Sequence, residues 1–474
     1  MPFLSLALSI NAEGLAVEDG ERALTYEELS QEAAEVARRL RTLGVGRGRV
    51  VGLVGRLNGD VLAALHGIWK AGGTVAPFND RWTENEMVRA LEILTPHLLL
   101  AGDGPQGFLE DPHFSTDRKV FRLGSSADSS RPSLFEMEPS LEALPGLPME
   151  SDAAHLLSSG TSGRPRVVRI TARNLLASAR GSQERLDLSP SDRWLGSLSL
   201  SHVGGVALVT RASAVGSALV LRGLFKTTTF LALLEAGAIT HASLVPTMLH
   251  QMLEAWGDRA APDSLRCLLI GGAPAREDLV QAALDAGFPI ALTYGLTEAS
   301  SQVATAPPAL VREKPGTVGD PLPGVRIRVS DSGELLVKGP TVAPGEARAG
   351  GWLHTGDLAF QDADGHLWVT GRRSDRIISG GVNVDPAEVA KVLEAHPQVE
   401  EAVALGVPDQ EWGERVVAFV VSRFPGLPLK EELDELARST LSPAKRPRSI
   451  EFLDSLPRNP NGKVDREKVM DLLR

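Results

Sequence analysis

Apolar and polar positions alternate along this chain with two periods in turn. Thr25-Tyr26-Glu27-Glu28 has the form of a helix-capping box. Behind it Leu29, Ala33, Val36, Leu40 and Leu43 fall at helical spacing, and Gly44 ends the run. Val50–Val54 is a continuous apolar run that predicts a buried strand; 61–71 predicts a helix, Gly72-Gly73 a turn, and 75–78 a second strand. A strand–helix–strand unit of this kind implies parallel strands with helices on the sheet faces. The same alternation recurs at 167–170, 172–186, 217–221, 227–236, 241–245, 246–256, 266–270 and 275–286. From 325 to 370 the texture changes to short strands (Arg326–Val329, Glu334–Lys338 and 367–370) between Gly/Asp turns, as in a small antiparallel or barrel-like unit. After Gly371, helices at 386–395 and 430–441 and strands at 402–407, 414–422 and 449–453 predict a compact α+β domain. The expected fold is therefore α/β. A large N-terminal part with parallel sheets carries a small β-barrel-like subdomain, and a small α+β domain follows. Residues 103–150, rich in Pro, Ser and Gly, are expected to be irregular surface, and no internal repeat is visible.

Composition narrows the classes. The 474 residues suit one large and one small unit. The formal net charge of −11 argues against a nucleic-acid partner, which needs a basic face, but leaves room for a local cationic pocket. The single cysteine, Cys267, excludes an intrachain disulfide and a cysteine-based zinc site, and a reducing cytoplasmic setting is expected. The start, MPFLSLALSI, lacks a basic segment and is read as an element packed on the core rather than a cleaved signal. The longest uncharged stretch, 194–210, is broken by serines, glycines and His202, so no membrane span is expected.

Four segments carry candidate chemistry. Ser158, Ser159, Gly160, Thr161, Ser162, Gly163, Arg164, Pro165 and Arg166 combine small hydroxyl residues, glycines and two arginines. Backbone N–H groups of such a loop can cradle phosphate oxygens. A polar hairpin between two strands explains the same residues, and the spacing is not that of a Walker loop. Thr293-Tyr294-Gly295-Leu296-Thr297-Glu298 offers an aromatic for a base, a hydroxyl for phosphate and a carboxylate for Mg²⁺. The alternative is a strand-to-helix turn capped by Thr297. Upstream, Gly271-Gly272 either lets a flat base approach or makes a tight turn. In the third segment, Gly351-Trp352-Leu353-His354-Thr355-Gly356-Asp357, followed by Gly371-Arg372, Asp357 suits a ribose diol or is a solvated turn aspartate. The fourth, Asn459-Pro460-Asn461-Gly462-Lys463, puts a lysine after a tight turn, either as a cation for a site or as surface.

Taken in order, SSGTSGRPR, YGLTE, GWLHTGD, GRRSDRIISGGVNVDPAEV and LPRNPNGKVDR resemble the acyl-adenylate-forming (AMP-binding) superfamily over nearly the whole chain. The resemblance implies an adenylation domain at 1–371, a hinge at about 372–375 with Ser374 at its centre, and a mobile C-terminal domain at 375–474. It implies that Ser158–Arg166 is a mobile loop over ATP and that Gly272, Tyr294 and Gly295 line the adenine pocket. Thr297 would lie near the α-phosphate, Glu298 on Mg²⁺, and Asp357 and Arg372 at the ribose, while Lys463 would contact carboxylate and α-phosphate. ATP, Mg²⁺ and coenzyme A would be the cofactor and co-substrates: acid and ATP give acyl-AMP and pyrophosphate, and CoA then displaces AMP. Arg164, Arg166 and Val167 depart from the family's usual lysines and glycine and change the loop's donor geometry.

The stretch Leu198-Ser199-Leu200-Ser201-His202-Val203-Gly204-Gly205, with Arg211, is similar to the o-succinylbenzoate–CoA ligases of menaquinone biosynthesis. That subgroup implies that His202 lines the acyl pocket and that Arg211 pairs with a second substrate carboxylate. The other readings are a core histidine and a snorkelling arginine. Ser201 replaces an aromatic usual in the subgroup. Other expectations are ligation of another aryl or fatty acid, or a stand-alone adenylation protein charging a carrier protein. Only 11 residues follow Lys463, so no fused carrier domain is expected, and a homodimer is allowed.

Overall fold

The computed structural model describes residues 3–102, 119–123, 132–158, 165–372, 377–379, 382–409, 412–424, 430–441, 443, 445–459 and 462–473. Its internal contacts divide the chain into two compact units. One comprises Met1–Arg328, Leu336–His354 and Gln361–Trp368; the other comprises Val329–Leu335, Thr355–Phe360 and Val369–Arg474.

Two parallel sheets organise the first unit. Among the described residues one has six strands, in the order Lys119–Arg122, Leu98–Ala101, Val50–Val54, Thr74–Phe78, Asp152–Ser158, Arg166–Thr171. All pairs are parallel except the last, an antiparallel hairpin. The strand Lys119–Arg122 lies inside the segment expected to be irregular. Its Val120 and Phe121 are buried beside Leu99 and Leu100, so sheet pairing overrides the polar flanks there. The other sheet has nine strands, in the order Asp320–Pro321, Ser301–Ala306, Ile290–Leu296, Cys267–Ile270, His241–Leu244, Arg193–Leu195, Ala218–Val220, Leu15–Glu18, Ala23–Thr25. Its middle is parallel and its edges antiparallel.

The helices cover these sheets as their patterns require. Tyr26–Thr42 begins with the expected reciprocal capping box between Thr25 and Glu28, and it buries Leu29, Ala33, Val36 and Leu40. Its Tyr26 hydroxyl lies 2.7 Å from the Ser217 carbonyl, tying the helix to the other sheet. The N-terminal segment is a helix, Phe3–Asn11, packed on the core through Phe3, Leu4 and Ala7. Helix Gly59–Lys70 is buried on nearly all sides, which fits its almost uniformly apolar sequence. No helix among the described residues is long and apolar enough to cross a membrane.

The strands Arg326–Val329, Glu334–Lys338, Leu353–Gln361 and Leu367–Arg372 form a four-stranded sheet in that linear order, so the expected barrel-like unit is an open sheet. In the second unit a long antiparallel pair, Val399–Asp409 with Gly413–Ser422, is joined by the parallel strand Ser449–Leu453. Helices Pro386–Glu394 and Lys430–Thr440 pack on it through Val389, Leu393, Leu433 and Ala437.

His66 lies fully inside the first unit, edge-on to Trp69 at 5.3 Å, and its Nε2 has no hydrogen-bond partner among the described residues. Burial, with a smaller contribution from Lys70, pushes its pKa down to about 3. In the unfolded chain it titrates near ~6.5. The neutral buried form therefore contributes full stability above that value, and the contribution is lost as the pH falls from there toward about 3. Acidification from pH 7 to 5 is expected to remove up to about 2 kcal/mol through this group. His66→Leu should show a smaller fall in urea midpoint over the same pH interval; an equal fall in both proteins would refute the assignment.

Candidate active site

Strands Asp152–Ser158 and Arg166–Thr171 run antiparallel, with Ser158 opposite Arg166. The hairpin geometry is thus present, and it places both ends of the expected phosphate loop side by side. Ser159, Gly160, Thr161, Ser162, Gly163 and Arg164 lie outside the described residues. The two ends converge on one acid. Ser158 Oγ donates to Glu298 Oε1 at 2.8 Å, and Arg166 Nη2 donates to the same oxygen at 2.8 Å. Arg166 also grips Glu346 with both terminal nitrogens, at 2.6 and 2.8 Å. Hydrogen bonding to Glu346 is the main reason the Arg166 pKa is raised. One guanidinium thus bridges two carboxylates, in the forked geometry that arginine offers and lysine does not. Glu346 carries no sequence signal, because it sits in an ordinary Pro/Gly loop.

Glu298 follows the strand Ile290–Leu296, which contains Tyr294 and Gly295. Thr297 begins the 3₁₀ turn Thr297–Ala299, but Leu296 is its cap and no side chain caps it. The alternative in which Thr297 serves as a cap is therefore not realised, and its hydroxyl is not committed to that task. On the neighbouring strand, Cys267–Ile270, the chain turns at Gly271-Gly272. A Cβ at Gly271 would stand 2.6 Å from Thr293 Cγ2, and Gly272 adopts φ 81°, so both positions require glycine.

Mg²⁺ usually takes one or two protein carboxylates and leaves its other positions to phosphate and water. Glu298 fits that role. Its Oε1 is held in place, while its Oε2 has no hydrogen-bond partner among the described residues. The metal-like cluster Asp362, Asp364 and His366 is elsewhere, and Lys314 already pairs with both of its aspartates.

His202 is the residue preceding helix Val203–Val215 and makes no side-chain cap. Arg211 lies two turns further along. It is 3% exposed, which excludes snorkelling. Its guanidinium stacks 4.6 Å from the Trp194 ring centroid, and its Nη2 donates to Gln302 Oε1 at 2.8 Å. Nε and Nη1 have no hydrogen-bond partner among the described residues. Burial pushes the Arg211 pKa down to about 10, so the group remains charged at neutral pH. A buried cation without a carboxylate partner is strongly unfavourable unless an anion completes it.

The second unit holds the remaining expected residues. Asp357 is buried, its N–H donates to Thr355 Oγ1 at 3.0 Å, and Arg372 Nε donates to its Oδ1 at 3.0 Å. Thr355 Oγ1 in turn donates to the Leu335 carbonyl at 2.8 Å, so the Thr-Gly turn holds this acid rigidly. Lys463 follows a tight turn in which Asn459 Oδ1 accepts its N–H and Gly462 takes φ 76°. Its surface is exposed, yet protein crowds the ammonium. That desolvation, with the Arg372 charge, holds its pKa below the ordinary lysine value, and Asp357 pulls the other way. The structure therefore brings Asp357, Arg372 and Lys463 into one electrostatic neighbourhood. Ser374 lies outside the described residues.

The chain is similar to known proteins over nearly its whole length. Residues 9–345 match the family model of AMP-binding enzymes, and 388–463 match that of the AMP-binding enzyme C-terminal domain. The chain is 35% identical to the 2-succinylbenzoate–CoA ligase of Geobacillus kaustophilus, covering 98% of this chain and 96% of that protein. It resembles the Bacillus subtilis o-succinylbenzoate coenzyme A synthetase in complex with its acyl-adenylate intermediate, with a TM-score of 0.88 and 30% identity over 99% of this chain and 97% of that one. The structure of the same Bacillus subtilis enzyme with ATP and magnesium ion gives a TM-score of 0.87 at 30% identity, over 99% of each chain. The chain belongs to the AMP-binding enzyme family, as an AMP-forming acid–CoA ligase.

Proposed function

We propose that this enzyme ligates 2-succinylbenzoate to coenzyme A through an acyl-AMP intermediate. The observation that carries the substrate is Arg211, a buried guanidinium with two donors that have no partner among the described residues, on the helix that follows His202. 2-Succinylbenzoate has two carboxylates, and only one is activated. The second is an anion of the kind a desolvated arginine selects, because leaving the pair incomplete is costly. A monocarboxylic aryl or fatty acid would leave Arg211 uncompensated. The full-length similarity to 2-succinylbenzoate–CoA ligases supports the same reading.

In the first half-reaction the succinyl carboxylate attacks the α-phosphorus of ATP and pyrophosphate leaves. Nucleophile and phosphate are both anionic, so donors must offset their repulsion and the charge developing on the leaving group. Lys463 is assigned to the carboxylate and α-phosphate, the Ser158–Arg166 loop to the departing phosphates, and Thr297 to the α-phosphate. Tyr294, Gly295 and Gly272 are assigned to the adenine, Asp357 and Arg372 to the ribose, and His202 to the acyl pocket. Mg²⁺, when bound at Glu298, supplies charge neutralisation on the triphosphate. Arg166 holds Glu298 and Glu346 together, which fixes the position of the acid assigned to the metal. In the second half-reaction the CoA thiolate attacks the acyl carbonyl, the acyl–phosphate bond breaks and AMP departs. A hinge at Ser374 between the domains 1–371 and 375–474 would let one lysine serve the first step and withdraw for the second. The acidic net charge supports a reading without a nucleic-acid partner, and a single buried, unpaired cysteine supports a cytoplasmic one.

The deciding assay mixes 2-succinylbenzoate with MgATP and follows pyrophosphate, then adds CoA and follows AMP. Pyrophosphate without CoA-dependent AMP release would favour a carrier-charging protein. Lys463→Ala is expected to slow pyrophosphate release by about 100-fold while thioester formation from supplied acyl-AMP falls less; equal losses would overturn the lysine's assignment. Arg211→Ala is expected to raise KM for 2-succinylbenzoate by about 10- to 100-fold, with a smaller change in KM for ATP. Matching KM values in mutant and wild type would remove Arg211 from substrate recognition.

A further inference from the structure

Arg211 does not hold its own orientation. Its stem comes from helix Val203–Val215, its face rests on Trp194, and the one hydrogen bond to its guanidinium among the described residues comes from a different strand, through Gln302. Gln302 is 2% exposed. Its carboxamide is fixed at both ends. Oε1 accepts from Arg211 Nη2 at 2.8 Å, and Nε2 reaches Thr305 Oγ1 at 2.8 Å and Thr293 Oγ1 at 3.3 Å. The two threonine hydroxyls also lie 2.8 Å from each other. A guanidinium can only donate, so the amide must present its oxygen to Arg211 and its nitrogen to the threonines.

The backbone is deformed to put Gln302 there. Between strands Ile290–Leu296 and Ser301–Ala306 the register slips: Tyr294 faces Ala304, but Gly295 faces Gln302 rather than Val303. Such a bulge re-aims a side chain. It turns the Gln302 amide onto the face shared by Thr293 and Thr305. Gly295 makes this possible, because a Cβ there would stand 2.0 Å from the Ser301 carbonyl oxygen. The turn before it is strained as well: Ser300 and Ser301 both adopt positive φ, 55° and 97°, which non-glycine residues avoid. Strain of this kind persists where the surroundings require the conformation.

The geometry points to Gln302 as a positioning residue that sets the carboxylate specificity of this site by aiming Arg211 without neutralising it. A glutamate would hold the guanidinium equally well but would satisfy its charge, leaving nothing for a substrate anion. A neutral acceptor keeps Nη2 in place and leaves Nε and Nη1 charged and unpartnered. The same residue ties the acyl side of the site to the strand that carries Tyr294 and, just beyond it, Glu298, through the bulge and the two threonines. This inference rests on the substrate reading proposed above.

The test compares kcat/KM for 2-succinylbenzoate with that for 4-oxo-4-phenylbutanoate, the same acid without the ring carboxylate, in wild type, Arg211→Ala, Gln302→Glu and Gln302→Met. Gln302→Glu is expected to cut the preference for the dicarboxylate by about 10- to 100-fold, mostly through KM. Gln302→Met, which keeps the length but lacks the acceptor, is expected to cut it by about tenfold. A general structural loss would lower both substrates together and leave their ratio alone. The proposal is overturned if the folded Gln302 variants keep the wild-type preference while Arg211→Ala loses it. It is also overturned if neither Gln302 variant folds, since that would make Gln302 a core residue. A wild type that does not prefer the dicarboxylate, or an Arg211→Ala protein that still does, would instead sink the substrate reading itself.

Discussion

A parallel strand buried on both faces has only its ends left for chemistry, and that constraint organises the whole first unit. Ile290–Leu296 and Cys267–Ile270 are neighbours in the nine-stranded sheet, and Arg193–Leu195 lies beyond them, past His241–Leu244. Where Cys267–Ile270 ends the chain turns at Gly271-Gly272, and where Ile290–Leu296 ends it enters Thr297-Glu298. Arg193–Leu195 leads through serines to His202. The same constraint works on the six-stranded sheet, whose last two strands are the antiparallel pair that flanks the proposed phosphate loop. The interior of each sheet is apolar, and the polar residues gather at the exits.

Charge is placed against the grain of the protein as a whole. The chain is acidic, and its expected ligands are anions. The cationic groups are therefore handled one by one. Arg166 sits between two glutamates, Arg372 is held on Asp357, and Lys463 is crowded beside both Arg372 and Asp357. Arg211 has no acid at hydrogen-bonding distance among the described residues, and it has an aromatic face and a neutral amide instead. The three paired or flanked cations suit a ligand that brings its own metal and many oxygens. The unpaired one suits the second carboxylate of a dicarboxylic ligand.

The primary sequence determined a good deal. Periodicity located the helices because each buries one stripe, as with Leu29, Ala33, Val36 and Leu40, and the capping box at Thr25 marked where the first long one begins. The ordered motifs identified the family and proposed most of the candidate site residues, because such groups are local in sequence: Thr297 and Glu298, Thr355 and Asp357, Asn459 and Lys463. The strand Lys119–Arg122 was not legible, because four residues in polar surroundings carry no period and only the partner strand decides them.

What tertiary structure alone decided are the partnerships across distance. Glu346 lies 180 residues from Arg166 and Gln302 lies 91 from Arg211, and neither spacing leaves a trace in the chain. Whether Arg211 reaches water or is sealed in depends on packing against Trp194 and on a bulge opposite Gly295, both products of sheet register. The amino-acid order specifies which groups exist and which turns can form. Burial and register decide which charge is left without a partner, because desolvation depends on everything that surrounds a group rather than on its neighbours in the chain.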